Sequence, residues 1–248
     1  MVYNNSDLHT KIFLEEFKSN LILQKYIKKE KLIFEKLLGE GRSSWIILFK
    51  QKQVGKKENN SSQVYAQKNK QEKTQKKELD NPFLLLTIKL EKKRSTRTRM
   101  VENESKFLKL LNKKNIGPKF VYSNKKGNFV IYEYFDATSL IDYLDKFNKQ
   151  DLVIFLNDLF KQAKTMDEIG IDHGQLAGRG TNILVLKNNL PIIVDFEKSS
   201  NTRKTHNITV LKSYFFNEKS LVYLKLEKIF GKNLEKIKKE IELKFSSV

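Results

Sequence analysis

The stretch NILVLKNNLPIIVDF, residues 182 to 196, contains two apolar runs separated by Asn188 and Asn189. Asparagine tolerates the positive φ angles of a tight two-residue turn, so the stretch predicts a β-hairpin. With those two residues as the turn, Asn182 faces Asp195, with their Cβ atoms about 4.5 to 5.5 Å apart. An amide oxygen and a carboxylate at the open end of a hairpin suit Mg²⁺, which takes one or two protein ligands. The alternative is two polar residues that cap a core hairpin.

An acidic residue interrupts the apolar face of a predicted helix over residues 99 to 113. The positions on that face, at helical spacing, are Met100, Glu104, Phe107, Leu108 and Leu111. A carboxylate on a buried face needs a cationic partner, because desolvation of an unpaired charge is costly. Lys89, near the end of the preceding apolar strand, is a candidate partner. The alternative is a glutamate at the edge of the face that reaches water.

The remaining pattern predicts an N-terminal helical extension, a set of strands and a mostly helical C-terminal part. GEGRSS, residues 39 to 44, lies between two apolar runs, and its glycines allow backbone N–H groups to approach phosphate closely, although an ordinary hairpin turn is as good an interpretation. Residues 51 to 80 contain too few apolar groups to offset the entropy of ordering and predict a disordered insert. The predicted elements are a helix at 6–36, strands from Leu32 around GEGRSS, at 82–90, 118–123 and 128–135, and helices at 99–113, 138–147 and 149–168. Two or three closing helices follow, the last of them interrupted at Gly231.

Composition limits the classes of function. The chain has 248 residues, no cysteine and three histidines scattered in sequence, which excludes disulfides, thiolate zinc sites and cysteine nucleophiles. The net charge of +19 attracts polyanions such as RNA or DNA, but lysine is spread along the whole chain, as an AT-rich genome alone would produce. No window approaches 18 consecutive apolar residues and no signal peptide is evident, so we expect a cytoplasmic protein that has no membrane partner.

The order of these features resembles the protein-kinase superfamily over about residues 32 to 200. A glycine loop, a strand lysine, a helix glutamate, a strand with an acidic hinge, an asparagine and the aspartate of a DF dipeptide follow one another as in that family. The segments DHGQL, NILV and VDFEKSS look most like the small atypical kinases, namely the RIO-type, the lipopolysaccharide-kinase-like and the archaeal predicted serine/threonine kinases. The resemblance implies an α+β, two-lobed fold with a five-stranded N-lobe sheet and an abbreviated helical C-lobe. The implied boundaries are 1–31 for the extension, 32–135 for the N-lobe and 136–248 for the C-lobe.

The resemblance also implies a role for individual residues. ATP would be bound by Gly39, Gly41 and Ser43 of the glycine loop, by Lys89 on the phosphates, and by the hinge backbone from Glu133 to Phe135, with Tyr132 as gatekeeper. Glu104 matches the helix partner of Lys89, and Asn182 and Asp195 match the ligands of Mg²⁺. The implied catalytic residues are Lys89, Glu104, Gln175, Asn182 and Asp195.

Three features depart from the family pattern. Gln175 stands at the position of the catalytic aspartate and cannot accept a proton as a carboxylate does, and the loop from Gln175 to Asn182 is two residues longer than usual. Asp172 is a substitute carboxylate, unless it faces solvent or anchors the loop. Glu197 replaces the glycine of DFG and either supplements the metal ligands or pairs with Lys198, Arg203 or Lys204. Only 51 residues follow Glu197, too few for a long activation segment and a full helical substrate lobe.

Two functions are therefore expected from the sequence. The first is an Mg-ATP-dependent phosphotransferase, a serine/threonine protein kinase that acts on a protein acceptor or on itself. The second is a nucleotide-binding pseudokinase that serves as a scaffold, RNA-associated through its basic surface. Gln175 favours the scaffold, whereas the complete set of Lys89, Glu104, Asn182 and Asp195 favours the enzyme.

Overall fold

The computed structural model describes residues 5–53, 82–97, 99–178 and 180–245. The protein is of the α+β class, and its chain divides into two compact units, Met1–Ser95 and Thr96–Val248. The predicted boundary at residue 135 stays a prediction. In chain order the elements are α1 (Asn5–Ser19), α2 (Leu21–Lys29), β1 (Leu32–Glu40), β2 (Ser44–Lys52), β3 (Phe83–Glu91), α3 (Met100–Asn112), β4 (Phe120–Asn124), β5 (Phe129–Glu133), β6 (Ala137–Ser139), α4 (Leu140–Tyr143), α5 (Lys149–Glu168), β7 (Ile183–Leu186), β8 (Pro191–Ile193), α6 (Asn207–Phe216), α7 (Leu221–Phe230) and α8 (Leu234–Lys244).

The predicted five-stranded sheet is present, and its strand order is β1-β2-β3-β5-β4. The pairs β1–β2, β2–β3 and β4–β5 are antiparallel. A second antiparallel sheet has the order β6-β7-β8. Residues 51 and 52 belong to β2, and the rest of the predicted insert lies outside the described residues.

The single helix predicted over residues 6–36 is wrong, because the chain breaks at Asn20. The Asn20 side chain accepts a hydrogen bond from the Leu23 N–H at 3.0 Å and so caps a second helix, α2. Lys31 then adopts a positive φ of 53° and β1 begins at Leu32. The hydrophobic pattern continues through this break, which explains why periodicity alone did not detect it.

In the first unit the N-terminal helices cover one face of the sheet. Phe13 is buried and its ring lies 5.4 Å from the Trp45 ring, while the Phe17 ring lies 6.1 Å from that of Phe49. Because side chains alternate along a strand, Ile46 of β2 lies on the opposite face from Trp45. The helices are therefore integral to this unit.

The second unit has one hydrophobic core, built around α5. The described core positions of α5 are Leu152, Phe155, Leu156, Leu159, Phe160, Ala163 and Met166, and they follow one helical stripe as the sequence predicts. The predicted interruption at Gly231 is confirmed, because this residue separates α7 from α8 with a positive φ of 57°. Among the residues that the structure describes, no helix is long and apolar enough to span a bilayer.

Candidate functional site

Gly39 and Lys89 of the first unit lie in one row across its sheet. Ile46 of β2 pairs with Gly39 on one side and with Lys89 on the other, so all three residues lie on the same face. This is the face opposite to the one that α1 covers. Lys89 is 6% exposed, and a Cβ built on Gly39 would meet no atom within 4 Å. The sequence-predicted phosphate-binding residues are thus brought to a common face, about two strand spacings apart.

The other two residues of the predicted glycine loop are held by backbone hydrogen bonds. The Gly41 N–H donates to the Ser44 carbonyl at 2.8 Å, and the Ser43 carbonyl accepts from the Lys92 N–H at 2.9 Å. Ser43 is buried. Neither Gly39 nor Gly41 adopts a positive φ, and a Cβ built on Gly41 would lie 3.3 Å from Ser44 Oγ.

Glu104 of the second unit is buried, as the interrupted apolar stripe predicts. It is 2% exposed and shares the inner face of α3 with Phe107 and Leu108, whereas Glu102 is partly exposed and pairs with Lys125. The alternative of an edge glutamate that reaches water is therefore wrong. The pairing of Glu104 with Lys89 stays a prediction.

The register predicted for the 182–196 hairpin is wrong by one residue. Ile183 pairs with Ile193 and Val185 with Pro191, so Asn182 lies opposite Val194 instead of Asp195. The cause is the turn, which has three residues: the Leu186 N–H donates to the Leu190 carbonyl at 2.9 Å. Only Asn189 has a positive φ, of 62°, whereas a two-residue type I′ turn needs two such residues.

Asn182 nevertheless occupies a polar position at the open end of the hairpin. Its Nδ2 group donates to the Gln175 carbonyl at 2.8 Å, which orients the amide oxygen away from that loop. Its own carbonyl accepts from the Val194 N–H at 3.0 Å. Asp195 follows directly and leaves the strand direction with a positive φ of 68°. The structure therefore brings Gln175, Asn182 and Asp195 together around the hairpin end, with an amide oxygen and a carboxylate as candidate metal ligands.

Gly178, in the longer loop, lies next to the hydrogen bond between Asn182 and Gln175. Gly178 has a φ of +40°, and a Cβ built on it would lie 3.3 Å from the Gln175 carbonyl oxygen and 3.5 Å from Asn182 Nδ2. A side chain there would press on the hydrogen bond that orients Asn182. No role was predicted for Gly178, although the run GQLAGRG is itself a signal for a backbone that needs glycine.

His173 connects the Gln175 loop to the residue before Asp195. It is fully buried; the Gln175 N–H lies 3.3 Å from its Nδ1 atom, and its Nε2 atom lies 3.0 Å from the Val194 carbonyl. A backbone N–H can only donate and a carbonyl can only accept, so these contacts require a neutral ring with its proton on Nε2. His173 thereby fixes the spacing between the loop and the Asp195 turn.

A second buried group of polar residues anchors the loop that contains His173 and Gln175. The Asn207 side chain accepts from the His173 N–H at 3.0 Å and donates to the Asp167 carboxylate at 2.7 Å, which also accepts from the Ile208 N–H. The oxygen and the nitrogen of the Asn207 side chain thus both have hydrogen-bond partners within the unit, as buried polar groups require. This network could not be predicted from the sequence, because the hydrogen-bonded partners are 34 to 41 positions apart in the chain.

Asp172 serves as a loop anchor. Its carboxylate accepts from Arg203 Nε at 2.9 Å and from Nη2 at 2.7 Å, and its backbone pairs with Ser200 in an antiparallel bridge. Its side chain is only 10% exposed, so the alternative that it faces solvent is wrong. Two guanidinium nitrogens that contact the same Oδ2 atom hold the carboxylate in one place.

Glu197 pairs with Arg97, which is none of its three predicted partners. Its carboxylate forms an ion pair with Arg97, in the loop before α3, whereas Arg203 is engaged by Asp172. Its backbone carbonyl accepts from Asn103 Nδ2 at 3.1 Å. Arg97 was overlooked because it lies 100 positions away in sequence, within a run of basic residues.

The predicted hinge lies at the end of β5. Tyr132 is buried with its ring stacked 6.3 Å from that of Phe135, and the Glu133 carboxylate pairs with Lys119 at 2.8 Å. The Glu133 side chain is thus directed to Lys119, and its backbone N–H donates to the Lys119 carbonyl at 2.9 Å. The described residues contain no group of three or more acidic or histidine side chains arranged to hold a metal ion.

The fold and these contacts define an α+β protein with a polar loop closed around a hairpin end. No protein-family model matches the chain. Over 86 residues the chain is 30% identical to a protein from Methanocaldococcus jannaschii described as the uncharacterized protein MJ1211, and the match covers 35% of this chain and 72% of that protein. The chain belongs to the same family as MJ1211, whose description states no activity.

Proposed function

We propose that the chain binds ATP together with Mg²⁺ and transfers the terminal phosphate to a serine or threonine hydroxyl of a protein, itself included. The observation that carries the proposal is the amide bridge from Asn182 Nδ2 to the Gln175 carbonyl, at 2.8 Å. It fixes which atom of the amide is free to act as a ligand. An asparagine that only capped a core hairpin would need no such orientation.

The residues at the hairpin end fit a magnesium ion. Mg²⁺ prefers oxygen ligands and usually takes one or two of them from protein, with water and phosphate as the rest. The Asn182 amide oxygen and the Asp195 carboxylate are of that type and number. Bound there, the ion would supply positive charge for the phosphate oxygens of the nucleotide.

The protein's own residues would position the acceptor. Gln175 is held on both sides, by the hydrogen bond from its N–H to His173 and by the bond that its carbonyl accepts from Asn182. Its side-chain amide can donate to or accept from a hydroxyl but cannot remove its proton as a carboxylate does. Phosphoryl transfer depends mainly on positioning and charge neutralisation, so a glutamine at this position is compatible with turnover.

Gln175 also supports a second candidate function, a nucleotide-binding scaffold that transfers no phosphate. Under this alternative Asp195 still binds the metal and Lys89 the phosphates, but no group acts on an acceptor. The net charge of +19 gives such a scaffold an affinity for polyanions such as RNA. The two candidates make the same prediction for nucleotide binding and opposite predictions for transfer.

The experiment that tests nucleotide binding is calorimetric titration of ATP with and without Mg²⁺. We expect Mg²⁺-dependent binding by the wild type and its loss in Asp195→Ala, with an almost unchanged melting temperature of the free protein. Asp145→Asn is the matched control, since Asp145 is 61% exposed and pairs with Lys225 at 2.6 Å. Binding by Asp195→Ala equal to that of the wild type would assign the ion to another carboxylate and overturn the proposal.

A further inference from the structure

One ion pair links the loop before α3 to the turn that follows Asp195. The Glu197 side chain is 2% exposed, and its carboxylate contacts the guanidinium of Arg97, which is 25% exposed. Glu197 lies in a single 3-10 turn, Phe196–Lys198, that begins directly after Asp195. A buried carboxylate and a largely covered arginine are therefore held together two residues from the proposed metal ligand.

A second hydrogen bond joins the same two segments independently of charge. Asn103, in the first turns of α3, donates its Nδ2 group to the Glu197 carbonyl at 3.1 Å. The next residue of the helix is Glu104, which is 2% exposed. Both the side chain and the backbone of Glu197 are thus tied to the start of α3, so a shift of the helix start would displace the turn as well.

We infer that Arg97 and Glu197 are positioning residues that lock the start of α3 to the Asp195 turn, and that Glu197 is not a metal ligand. The Glu197 carboxylate is already committed to a guanidinium. A glycine at this position would leave the turn free to change conformation, whereas the buried ion pair fixes it. The inference rests on the proposed function only for its effect on nucleotide affinity, because the lock itself is a property of the free protein.

The role of the Arg97–Glu197 pair can be tested by comparing variants that remove one of the two charges with a variant that removes both. Removing one partner of a buried ion pair leaves an uncompensated charge, whereas replacing both with apolar side chains of similar volume is often neutral or stabilising. Arg97→Met and Glu197→Met should therefore each disturb the turn, and the double variant should recover. A metal ligand has no such dependence on Arg97.

Amide hydrogen exchange of the unliganded protein measures directly how firmly the ion pair holds the two segments. We expect amides of residues 100–105 and 196–199 to exchange roughly 10- to 100-fold faster in each single variant and to return to within about threefold of the wild type in the double variant. Lys225→Met, which breaks the exposed pair with Asp145, is the control and should leave these amides unchanged. Wild-type exchange in Arg97→Met would overturn the inference.

Magnesium titration of ATP binding provides the second readout. With a positioning pair, both single variants weaken Mg-ATP binding by about tenfold, and the double variant regains most of that loss. If Glu197 is a ligand, Glu197→Met alone weakens binding, Arg97→Met does not, and the double variant fails to recover. That pattern would overturn the inference while leaving the proposed function intact.

The inference can still be tested if Arg97→Met does not fold or if the wild type does not bind Mg-ATP. Should Arg97→Met not fold, Arg97→Lys keeps a positive charge with fewer donors and is expected to show an intermediate increase in exchange; wild-type exchange in this variant would contradict the lock. Should the wild type not bind Mg-ATP, the proposed function fails, but the exchange measurement on the unliganded variants still decides whether Arg97 and Glu197 hold the turn.

Discussion

Gly178 lies where its hydrogen atom leaves room for the bond between Asn182 Nδ2 and the Gln175 carbonyl. Its φ of +40° is unfavourable for other residues, and a Cβ would come within 3.3 Å of the Gln175 carbonyl oxygen. We expect Gly178→Ala to lower the free energy of unfolding by about 1 kcal/mol. Because the added methyl group presses on the Asn182 bridge, we also expect Mg-ATP affinity to fall by about tenfold. Urea unfolding and calorimetry measure the two effects.

Gly170 separates the conformational cost from the effect on the site. It has a φ of +71°, and a Cβ built on it would meet nothing within 4 Å. Gly170→Ala is expected to lose a similar amount of stability without any change in Mg-ATP affinity. Equal affinities in the two variants would contradict the role given to the Asn182 bridge.

At the level of single residues, the sequence predicted which side chains are buried better than it predicted which residues they contact. The interrupted stripe predicted that Glu104 is buried, and its exposure of 2% agrees. The hairpin brought Asn182 and Asp195 to one strand end, but the facing pair was wrong because Asn188 does not take the positive φ that a two-residue turn requires. The partner of Glu197 was unpredictable, since an ion pair between residues 97 and 197 depends on tertiary packing alone.

At the scale of elements, α1 is tied to the glycine turn by charge as well as by aromatic packing. Glu40, between Gly39 and Gly41, accepts a hydrogen bond from Lys92, and His9 of α1 contacts its other carboxylate oxygen at 2.7 Å. Trp45 Nε1 donates to Glu16 of α1 at 2.8 Å. The hydrogen bonds from Lys92 and then His9 hold the pKa of Glu40 below its ordinary value of 4.5, against an opposing effect of desolvation.

The lowered pKa of Glu40 predicts that the stability of the protein depends on pH. Because the folded-state pKa is lowered, the ionised carboxylate stabilises the folded protein above pH 4.5, and that stabilisation is lost as the pH falls through the lower folded-state value. We expect Glu40→Gln to melt below the wild type at pH 7 and at the same temperature in strong acid. Glu15→Gln, on an exposed position of α1, is the control and should match the wild type at both pH values. A constant difference between Glu40→Gln and wild type at all pH values would contradict the account.

Elements with strong periodicity were predicted well, and their boundaries were not. The α5 stripe, the β3 run and the α3 face all follow the pattern of apolar residues, because burial imposes that pattern directly. The break at Asn20 depends on one capping hydrogen bond that the apolar pattern does not reflect. The two closing helices joined at Gly231 were recognisable because glycine is the residue that tolerates a positive φ at a helix end.

At the scale of the whole molecule, composition and charge leave the enzyme and the scaffold equally open. The charge of +19 supports polyanion binding in either case. The features that favour the enzyme are local: the oriented Asn182 amide, the adjacent Asp195 carboxylate, the buried Glu104 and the buried Lys89. A scaffold that only held nucleotide would not need Gln175 to be fixed from both sides by His173 and Asn182.

Transfer of label from ATP carrying a radioactive terminal phosphate, in the presence of Mg²⁺, tests the central claim most directly. We predict that the wild type labels itself or an added protein fraction, that Gln175→Ala lowers the rate by about tenfold through poorer orientation of the acceptor, and that Asp195→Ala lowers it by at least about 100-fold. Gln175→Asp should equal or exceed the wild type. A wild-type protein that binds Mg-ATP tightly yet labels nothing, with Gln175→Asp equally inactive, would contradict the enzyme and establish the scaffold.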